Sequence, residues 1–201
     1  VGSLIKDEND YNWGFWTTPQ EHMNNRELWW PRGKGWGGSS SINGMIYIRG
    51  HARDYDQWRQ SGLTGWGYDD VLPYFKRSEG YEKGETDFHG GDGPLRVSES
   101  PMDNLAYDAF VQAGLEAGHK ATSDFNGAQQ EGFGPYQRTI HEGERWSSSF
   151  AYLRPAVDRP NLTVKSTALV SRVVTENGKA VGVGTLAQRG AQPEALRCSG
   201  A

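Results

Sequence analysis

The sequence predicts a mixed α/β chain of the α+β kind, in which short helices and strands are separated by long glycine-rich loops. Three observations predict this class. Apolar residues recur every three to four positions in several short stretches that end at glycine or proline, as in amphipathic helices. Apolar and polar residues alternate across 161–188 around Asn177-Gly178, the dipeptide most typical of a β-hairpin turn. Glycine supplies 27 of the 201 residues, which predicts many tight turns.

In the first half of the chain, two helices follow a segment without regular structure. Residues 1–31 carry tryptophan and phenylalanine among polar residues with no sustained period, so we expect extended chain and turns. Residues 32–44 form a Gly/Ser tract. Side chains at helical spacing predict a helix within 52–62, and acidic residues near the start with basic residues near the end predict another within 65–79. Residues 80–93 are polar and glycine-rich, so we expect a loop.

In the second half, a strand and two helices precede the β-rich tail. Residues 95–99 predict a short strand, and residues 104–118 carry the clearest amphipathic pattern, ended by a glycine. A loop is expected over 119–135. Residues 145–153 predict a short helix that begins at serines, whose hydroxyls can cap it, and that Pro155 stops.

Composition excludes several classes of function. The net charge is −4, so there is no basic excess to bind nucleic acid. No apolar run reaches the roughly 18 residues that a membrane helix needs. A single cysteine, Cys198, excludes a disulfide framework within the chain and fits a reducing compartment. The five histidines are scattered without the spacing of metal ligands, so we expect no metal site. His89 is interpreted as a loop residue.

Aromatic residues make up 12% of a chain that is poor in aliphatic residues. We therefore expect a folded chain that completes its core against the remainder of a larger protein. Five aromatic residues near the start are interpreted as a small satellite core, and the alternative is a surface that stacks on sugar or substrate rings. They are Trp13, Phe15, Trp16, Trp29 and Trp30.

The Gly/Ser tract carries the residues that point to chemistry. Its glycines formally match the G-x-G-x-x-G pattern of dinucleotide-binding folds, but Pro31 just before them disfavours the buried strand that this pattern requires. Adjacent glycines let a backbone approach a ligand closely, and serines 39–41 can cap a following helix whose first N–H groups bind an anion. Arg32 adds a positive charge and Asn43 adds a donor and an acceptor. A pyrophosphate-and-heterocycle site and a simple connecting loop both explain these residues.

Residues 31–50, PRGKGWGGSSSINGMIYIRG, closely resemble the first signature of the glucose–methanol–choline (GMC) family of flavin oxidoreductases. Further segments resemble that family in the same order, and within it the chain is most similar to choline-dehydrogenase-like alcohol dehydrogenases. These segments are DYDQW at 54–58, GWGYDDVLPYFKRSE at 65–79, HGGDGPLRV at 89–97, GERWSSSFAYLRP at 143–155 and NLTV at 161–164.

The resemblance implies an FAD-dependent enzyme that oxidises an alcohol to an aldehyde or ketone by hydride transfer to the flavin. Ile42 occupies the position at which some members attach FAD covalently through histidine, so the resemblance implies noncovalent FAD. The cofactor-binding residues that it implies are Arg32, Gly37, Gly38, Ser39, Asn43, Gly44, Met45, Ile46 and Val170.

The same resemblance implies how the chain is organised. Residues 1–93 would belong to the FAD-binding domain with its flavin-wrapping segment, 94–145 would begin the substrate-binding domain, and 146–201 would return to the FAD-binding domain. The family's Rossmann fingerprint and catalytic histidine pair have no counterpart in the chain. No catalytic residue is therefore assigned, and the segment alone is expected to be inactive.

The expected partners are an alcohol substrate and the remainder of the polypeptide or a complementary chain. The expected location is cytoplasmic or peripheral to an inner membrane. The alternative function is a noncatalytic, aromatic-rich module for ligand binding or scaffolding. Flavin absorbance in the purified protein discriminates between the two.

Overall fold

The computed structural model describes residues 10–101, 103–186 and the strand 194–197. The chain divides into two compact units, one ending at Ala156 and the other beginning at Val157. The predictions for residues 1–9, for Cys198 and for the end of the chain lie outside the described residues. The predicted domain boundaries at 93 and 145 stay predictions. The division into two units shows only which parts of the chain pack together, and it does not identify an FAD-binding or a substrate-binding domain.

The first unit opens with an antiparallel pair of short strands, β1 (Phe15–Trp16) and β2 (Trp29–Trp30), joined through a 3-10 turn at Glu21–Met23. The expected extended chain and turns are therefore confirmed for residues 10–31. The satellite core is not formed: Trp13, Phe15, Trp16 and Trp30 are all exposed among the described residues. The rings stack on one another instead, with Trp13 and Phe15 parallel and their centroids 6.1 Å apart.

Three of the four helices predicted for this unit are present as α-helices. Helix α1 spans Ala52–Gln60, α2 spans Tyr68–Ser78 and α3 spans Leu105–Glu116. A reciprocal capping box begins α1, because His51 Nδ1 accepts from the Arg53 amide at 3.1 Å and Asp54 accepts from the His51 amide at 2.8 Å. Within the described residues, no helix is long and apolar enough to cross a membrane.

Helix α3 has the predicted extent, but the described chain does not cover its apolar side. Leu105 and Phe110 are 87% and 66% exposed. Gly114 is the buried residue of the helix, and a Cβ there would strike the ring of Phe133. The helix therefore approaches the rest of the unit at its glycine rather than along an apolar stripe.

A parallel strand pair replaces the start of the loop that the sequence predicts over 80–93. Strand β4 (Glu79–Tyr81) follows α2 directly and pairs with β5 (Leu95–Val97), the strand predicted within 95–99. The prediction for 80–81 was wrong because the pairing depends on close approach of distant backbone. The Gly93 amide donates to the Glu79 carbonyl at 2.8 Å, and a Cβ on Gly93 would collide with the backbone at Glu79.

Four further two-residue strands complete the first unit. Strand β3 (Ile46–Tyr47) pairs with β6 (Gln137–Arg138), and β7 (Ile140–His141) pairs with β8 (Glu144–Arg145). The helix predicted over 145–153 begins later, as one π-helical turn at Ser149–Leu153. Pro155 does not stop it, because a 3-10 turn continues through Arg154–Ala156. Proline is tolerated at the start of a helical turn.

The second unit is an antiparallel sheet of β9 (Leu169–Glu176), β10 (Lys179–Leu186) and β11 (Glu194–Arg197), in the order β11-β10-β9. The predicted hairpin is confirmed. Asn177 and Gly178 have φ of 50° and 77°, the left-handed pair that a type I′ turn requires. Residues 161–168 contain no strand, so the β structure begins later than the alternation suggests.

The exposed apolar surface leads to a first prediction. The 201-residue chain produced alone is expected to aggregate and to unfold without a sharp transition, since large apolar side chains in both units are exposed and β9 is a sheet edge. Light scattering and a thermal melt followed by tryptophan fluorescence measure this. A monomer with one sharp, reversible melt would contradict it.

Candidate functional site

The Gly/Ser tract folds into a loop that closes on itself. Residues Gly38–Ser41 form a 3-10 turn, entered through positive φ at Gly37 (87°) and Gly38 (53°). The Gly33 amide donates to Ser39 Oγ at 3.1 Å, and a Cβ on Gly33 would overlap the Gly38 carbonyl. The prediction that serines 39–41 cap a following helix was wrong, because these serines are themselves the turn.

A second segment, more than a hundred residues later in the chain, clamps this loop. The Ser148 amide donates to Ser40 Oγ at 3.0 Å. Arg145 Nη1 donates to the Ser40 carbonyl at 3.1 Å and to Asn43 Oδ1 at 2.8 Å. Burial lowers the pKa of Arg145. The predicted capping role of the serines near 147 was wrong: Ser148 precedes the π-turn without a side-chain capping bond and binds Ser40 instead.

The segment Asn43–Ile46 leaves the loop as an exposed edge in a constrained conformation. Asn43 Oδ1 also accepts from the Met45 amide at 3.1 Å. Met45 has a φ of 63°, an uncommon conformation for a residue with a side chain and one that is enriched at functional sites. The Met45 carbonyl accepts from the Thr139 amide at 2.8 Å. With its oxygen occupied, Asn43 keeps an Nδ2 amide for which the described chain provides no acceptor.

Gly37 and Gly38 differ in what surrounds them. A Cβ on Gly37 would meet the hydroxyls of Ser41 and Ser147, so glycine is needed there by the packing of the chain itself. Around the position of a Cβ on Gly38, no described atom lies within 4 Å, and the same holds at Gly44. The backbone at these two positions is therefore open to a ligand, which fits a cofactor that lies against the loop.

Arg32 and Val170 are the two remaining predicted cofactor-binding residues. The Arg32 guanidinium donates to the Pro31 carbonyl at 2.7 Å and lies 5.0 Å from the ring centroid of Trp30. Val170 lies in β9 of the second unit. The structure thus brings together the predicted residues between 37 and 46, and it adds Arg145, Ser148 and Thr139, which the prediction did not include.

A buried network of charged side chains lies next to this edge and was missed by the sequence analysis. Arg49 Nη2 donates to Glu79 Oε2 at 2.7 Å, and both side chains are almost fully buried. His89 lies between two carboxylates, with Nδ1 3.0 Å from Glu79 Oε1 and Nε2 3.0 Å from Asp124 Oδ2. His89 lies in a loop, as predicted, but the sequence did not reveal that this residue is only 1% exposed.

The two carboxylates hold His89 in its charged form. Burial alone would lower the pKa of His89, but the hydrogen bonds to Asp124 and Glu79 outweigh it and raise the pKa to about 9. Burial alone would raise the pKa of Asp124, but hydrogen bonds from His89 and Gln137 outweigh it and lower the pKa to about 2. At neutral pH His89 and Asp124 therefore face each other as a cation and a carboxylate.

Residues 12–197 match the family described as GMC oxidoreductase. The chain belongs to the GMC oxidoreductase family. Among its relatives, the chain is 54% identical over 173 residues to an oxygen-dependent choline dehydrogenase of Brucella anthropi, covering 86% of this chain and 31% of that protein. It is 50% identical over 183 residues to the mitochondrial choline dehydrogenase of Mus musculus, covering 91% of this chain and 30% of that protein.

Two solved structures share the fold. Pyridoxine 4-oxidase from Mesorbium loti superposes with a TM-score of 0.85 at 29% identity, over 96% of this chain and 38% of that chain. An FAD-dependent oxidoreductase from Chaetomium thermophilum superposes with a TM-score of 0.84 at 26% identity, over 94% of this chain and 35% of that chain. These matches confirm the predicted fold class and the resemblance.

This GMC chain spans about a third of the length of its curated relatives, 31% in the first case. The whole proteins therefore contain much that this segment does not. Below, the full-length polypeptide means a chain of the relatives' length that contains this segment.

The charged state of His89 leads to a pH prediction. A pKa raised from 6.5 to about 9 stabilises the folded state fully below pH 6.5, and this contribution is lost as the pH rises through 9. At pH 6.5 the unfolding free energy of the full-length polypeptide should therefore exceed that of the His89→Gln variant. This difference should decrease by on the order of 3 kcal/mol between pH 6.5 and 9.5. Urea unfolding at several pH values measures it. An equal difference at both ends would contradict a paired imidazolium.

Proposed function

We propose that this segment forms part of the FAD site of an alcohol-oxidising GMC enzyme and acts within the full-length polypeptide. The observation that carries the proposal is the open backbone at Gly38, followed by the exposed Asn43–Ile46 edge that Arg145 clamps. Family membership supports the cofactor. The reaction is the oxidation of an alcohol to an aldehyde or ketone, in which the flavin, when bound, accepts the hydride.

Each part of the loop has its own role in binding. Gly38 and Ser39 would lie along the phosphate and ribityl chain, with Gly37 shaping the turn. Asn43 Nδ2 would donate to a polar atom of the isoalloxazine ring system, beside Gly44, Met45 and Ile46. The residues that act on the substrate hydroxyl belong to other parts of the polypeptide, so this segment binds and orients the cofactor.

Two more residues are assigned to the cofactor, one at the start of the Gly/Ser tract and one in the second unit. Arg32 would supply positive charge to the pyrophosphate. Val170 would bond the adenine through its main chain, which is consistent with its place in the edge strand β9. FAD is bound noncovalently in this proposal, because Ile42 has no nucleophilic atom and the residue is only 5% exposed.

Choline is the first alcohol to test, because relatives at 50% identity or more are named choline dehydrogenases. The full-length polypeptide is expected to carry flavin absorbance that choline bleaches under anaerobic conditions, and acid precipitation should release the flavin. A polypeptide that stays colourless after incubation with FAD would contradict the proposal. Bleaching by other alcohols but not by choline would change the substrate and leave the FAD site standing.

Asn43→Ala tests the edge of the site. The variant removes a donor to the cofactor and the anchor for Arg145, so FAD should dissociate about 5- to 150-fold more readily, equivalent to roughly 1–3 kcal/mol. Flavin retention after dialysis and the rate of flavin reduction by choline measure the effect in the full-length polypeptide. Asn161→Ala, at an exposed asparagine of the second unit, is the matched control. Retention and reduction equal to the control would show that Asn43 does not face the flavin.

A further inference from the structure

The buried side chain of Asn126 binds the backbone that follows the Asn43–Ile46 edge. Asn126 Nδ2 donates to the Tyr47 carbonyl at 3.1 Å, and the Arg49 amide donates to Asn126 Oδ1 at 2.8 Å. One side-chain amide thus satisfies a carbonyl and an N–H two residues apart, as a neighbouring strand would. Tyr47 belongs to β3. The two bonds therefore hold the backbone in place beyond the end of that strand, as far as Arg49.

Asn126 is itself held by the charged network. The main-chain N–H of Asn126 donates to Asp124 Oδ1 at 2.9 Å, and Gln137 Nε2 donates to the same oxygen at 3.0 Å. Asn126 Nδ2 also donates to Gln137 Oε1 at 2.6 Å. Gln137 lies in β6 opposite Tyr47. The side chains that support Asn126 are therefore the ones that flank the strand pair.

These contacts close into a ring. From the Arg49 main chain the ring passes through Asn126, Asp124, His89 and Glu79, and it returns to the Arg49 guanidinium. Arg49 Nη1 also donates to the Phe88 carbonyl at 2.6 Å. Arg49 is thus fastened at both its backbone and its side chain, so displacement of this residue would break bonds at both points.

We propose that this ring is a positioning device that holds β3, and through it the Asn43–Ile46 edge, in the one conformation that the flavin meets. This inference rests on the proposed function. None of the hydrogen bonds that form the ring reaches Asn43–Ile46, so its members are positioning residues. It acts because Met45 is in an unfavourable left-handed conformation, which persists only where the neighbouring backbone is fixed on both sides.

Asn126→Ala separates positioning from general stability. It removes both bonds to the backbone of Tyr47 and Arg49, while the ion pairs among Glu79, His89 and Asp124 remain. Asn104→Ala is the matched control, because Asn104 Oδ1 also accepts from a backbone amide, that of Ala106 at 2.9 Å, at the start of α3. Arg49→Lys is the second variant, since it opens the ring from the side chain and keeps the main-chain bond to Asn126.

The test has two measurements on the full-length polypeptide. Without flavin, hydrogen–deuterium exchange of peptides covering 44–50 should be about tenfold faster in Asn126→Ala than in wild type, and unchanged in Asn104→Ala. With FAD at saturation, the visible circular dichroism and the reduction potential of the bound flavin should shift in Asn126→Ala and not in the control. Arg49→Lys should change both measurements in the same direction.

The two measurements fail separately. Exchange over 44–50 that stays at the wild-type rate in a folded variant overturns the positioning inference, whether or not flavin binds. Faster exchange with an unchanged flavin spectrum and potential also overturns it, because the edge would then move without consequence. If Asn126→Ala does not fold, Arg49→Lys decides by the same two criteria. Wild-type polypeptide that binds no FAD overturns the proposed function instead.

Discussion

Glu79→Gln should lower the unfolding free energy of the full-length polypeptide by about 3–5 kcal/mol. The Glu79 side chain is 0% exposed, and its carboxylate accepts from Arg49 at 2.7 Å and from the Gly90 amide at 3.0 Å. It also lies 3.0 Å from His89. A neutral amide would take the carboxylate away from the buried Arg49 and leave His89 with Asp124, whose side chain is 32% exposed. Loss of a buried charge from such a network is far more costly than loss of a surface pair.

Glu85→Gln is the control for this change, because it makes the same substitution in an exposed ion pair. Glu85 is 72% exposed and lies 3.1 Å from Lys76. Its loss should cost less than about 1 kcal/mol. Denaturant unfolding of both variants, followed by tryptophan fluorescence, gives the comparison. Similar losses for the two variants would mean that the buried network does not stabilise the fold.

Gly38→Val should abolish FAD binding by the full-length polypeptide. A side chain at this position would occupy the open space beside the backbone, where the cofactor chain is proposed to lie. Valine also strains the backbone, because Gly38 has a φ of 53° and a β-branched residue there is a marked outlier. Valine alone therefore does not distinguish a blocked site from a weakened fold.

Gly38→Asn makes the distinction, because asparagine tolerates left-handed backbone. The variant should fold like the wild type and still fail to retain FAD, since its side chain blocks the cofactor. Gly118→Asn is the matched control: Gly118 follows α3 with a φ of 88° and open space around it. Flavin content per folded polypeptide is the measurement. Full flavin occupancy in Gly38→Asn would show that the glycine serves only the turn.

Local signals were enough to predict the regular elements. The helix predicted within 52–62 is α1, and His51 and Asp54 cap it through contacts three residues apart or fewer. The β-hairpin at Asn177-Gly178 forms because two adjacent residues take the positive φ that the turn needs. The signature at 31–50 also predicted the family from local sequence, since its glycines, serines and asparagine lie within one short stretch of the chain. In each case the interacting groups are neighbours in sequence.

The charged ring and the clamp on the Gly/Ser loop could be found only in the tertiary structure. Glu79, His89 and Asp124 resemble ordinary surface residues in the sequence, and nothing in their spacing marks them as buried partners. Arg145 and Ser148 reach Asn43 and Ser40 across 102 and 108 residues of chain. The pairing of β4 with β5 likewise depends on how closely Gly93 approaches Glu79. Buried charges and contacts between distant residues arise when separate segments pack together. Local sequence patterns do not indicate which segments will be in contact.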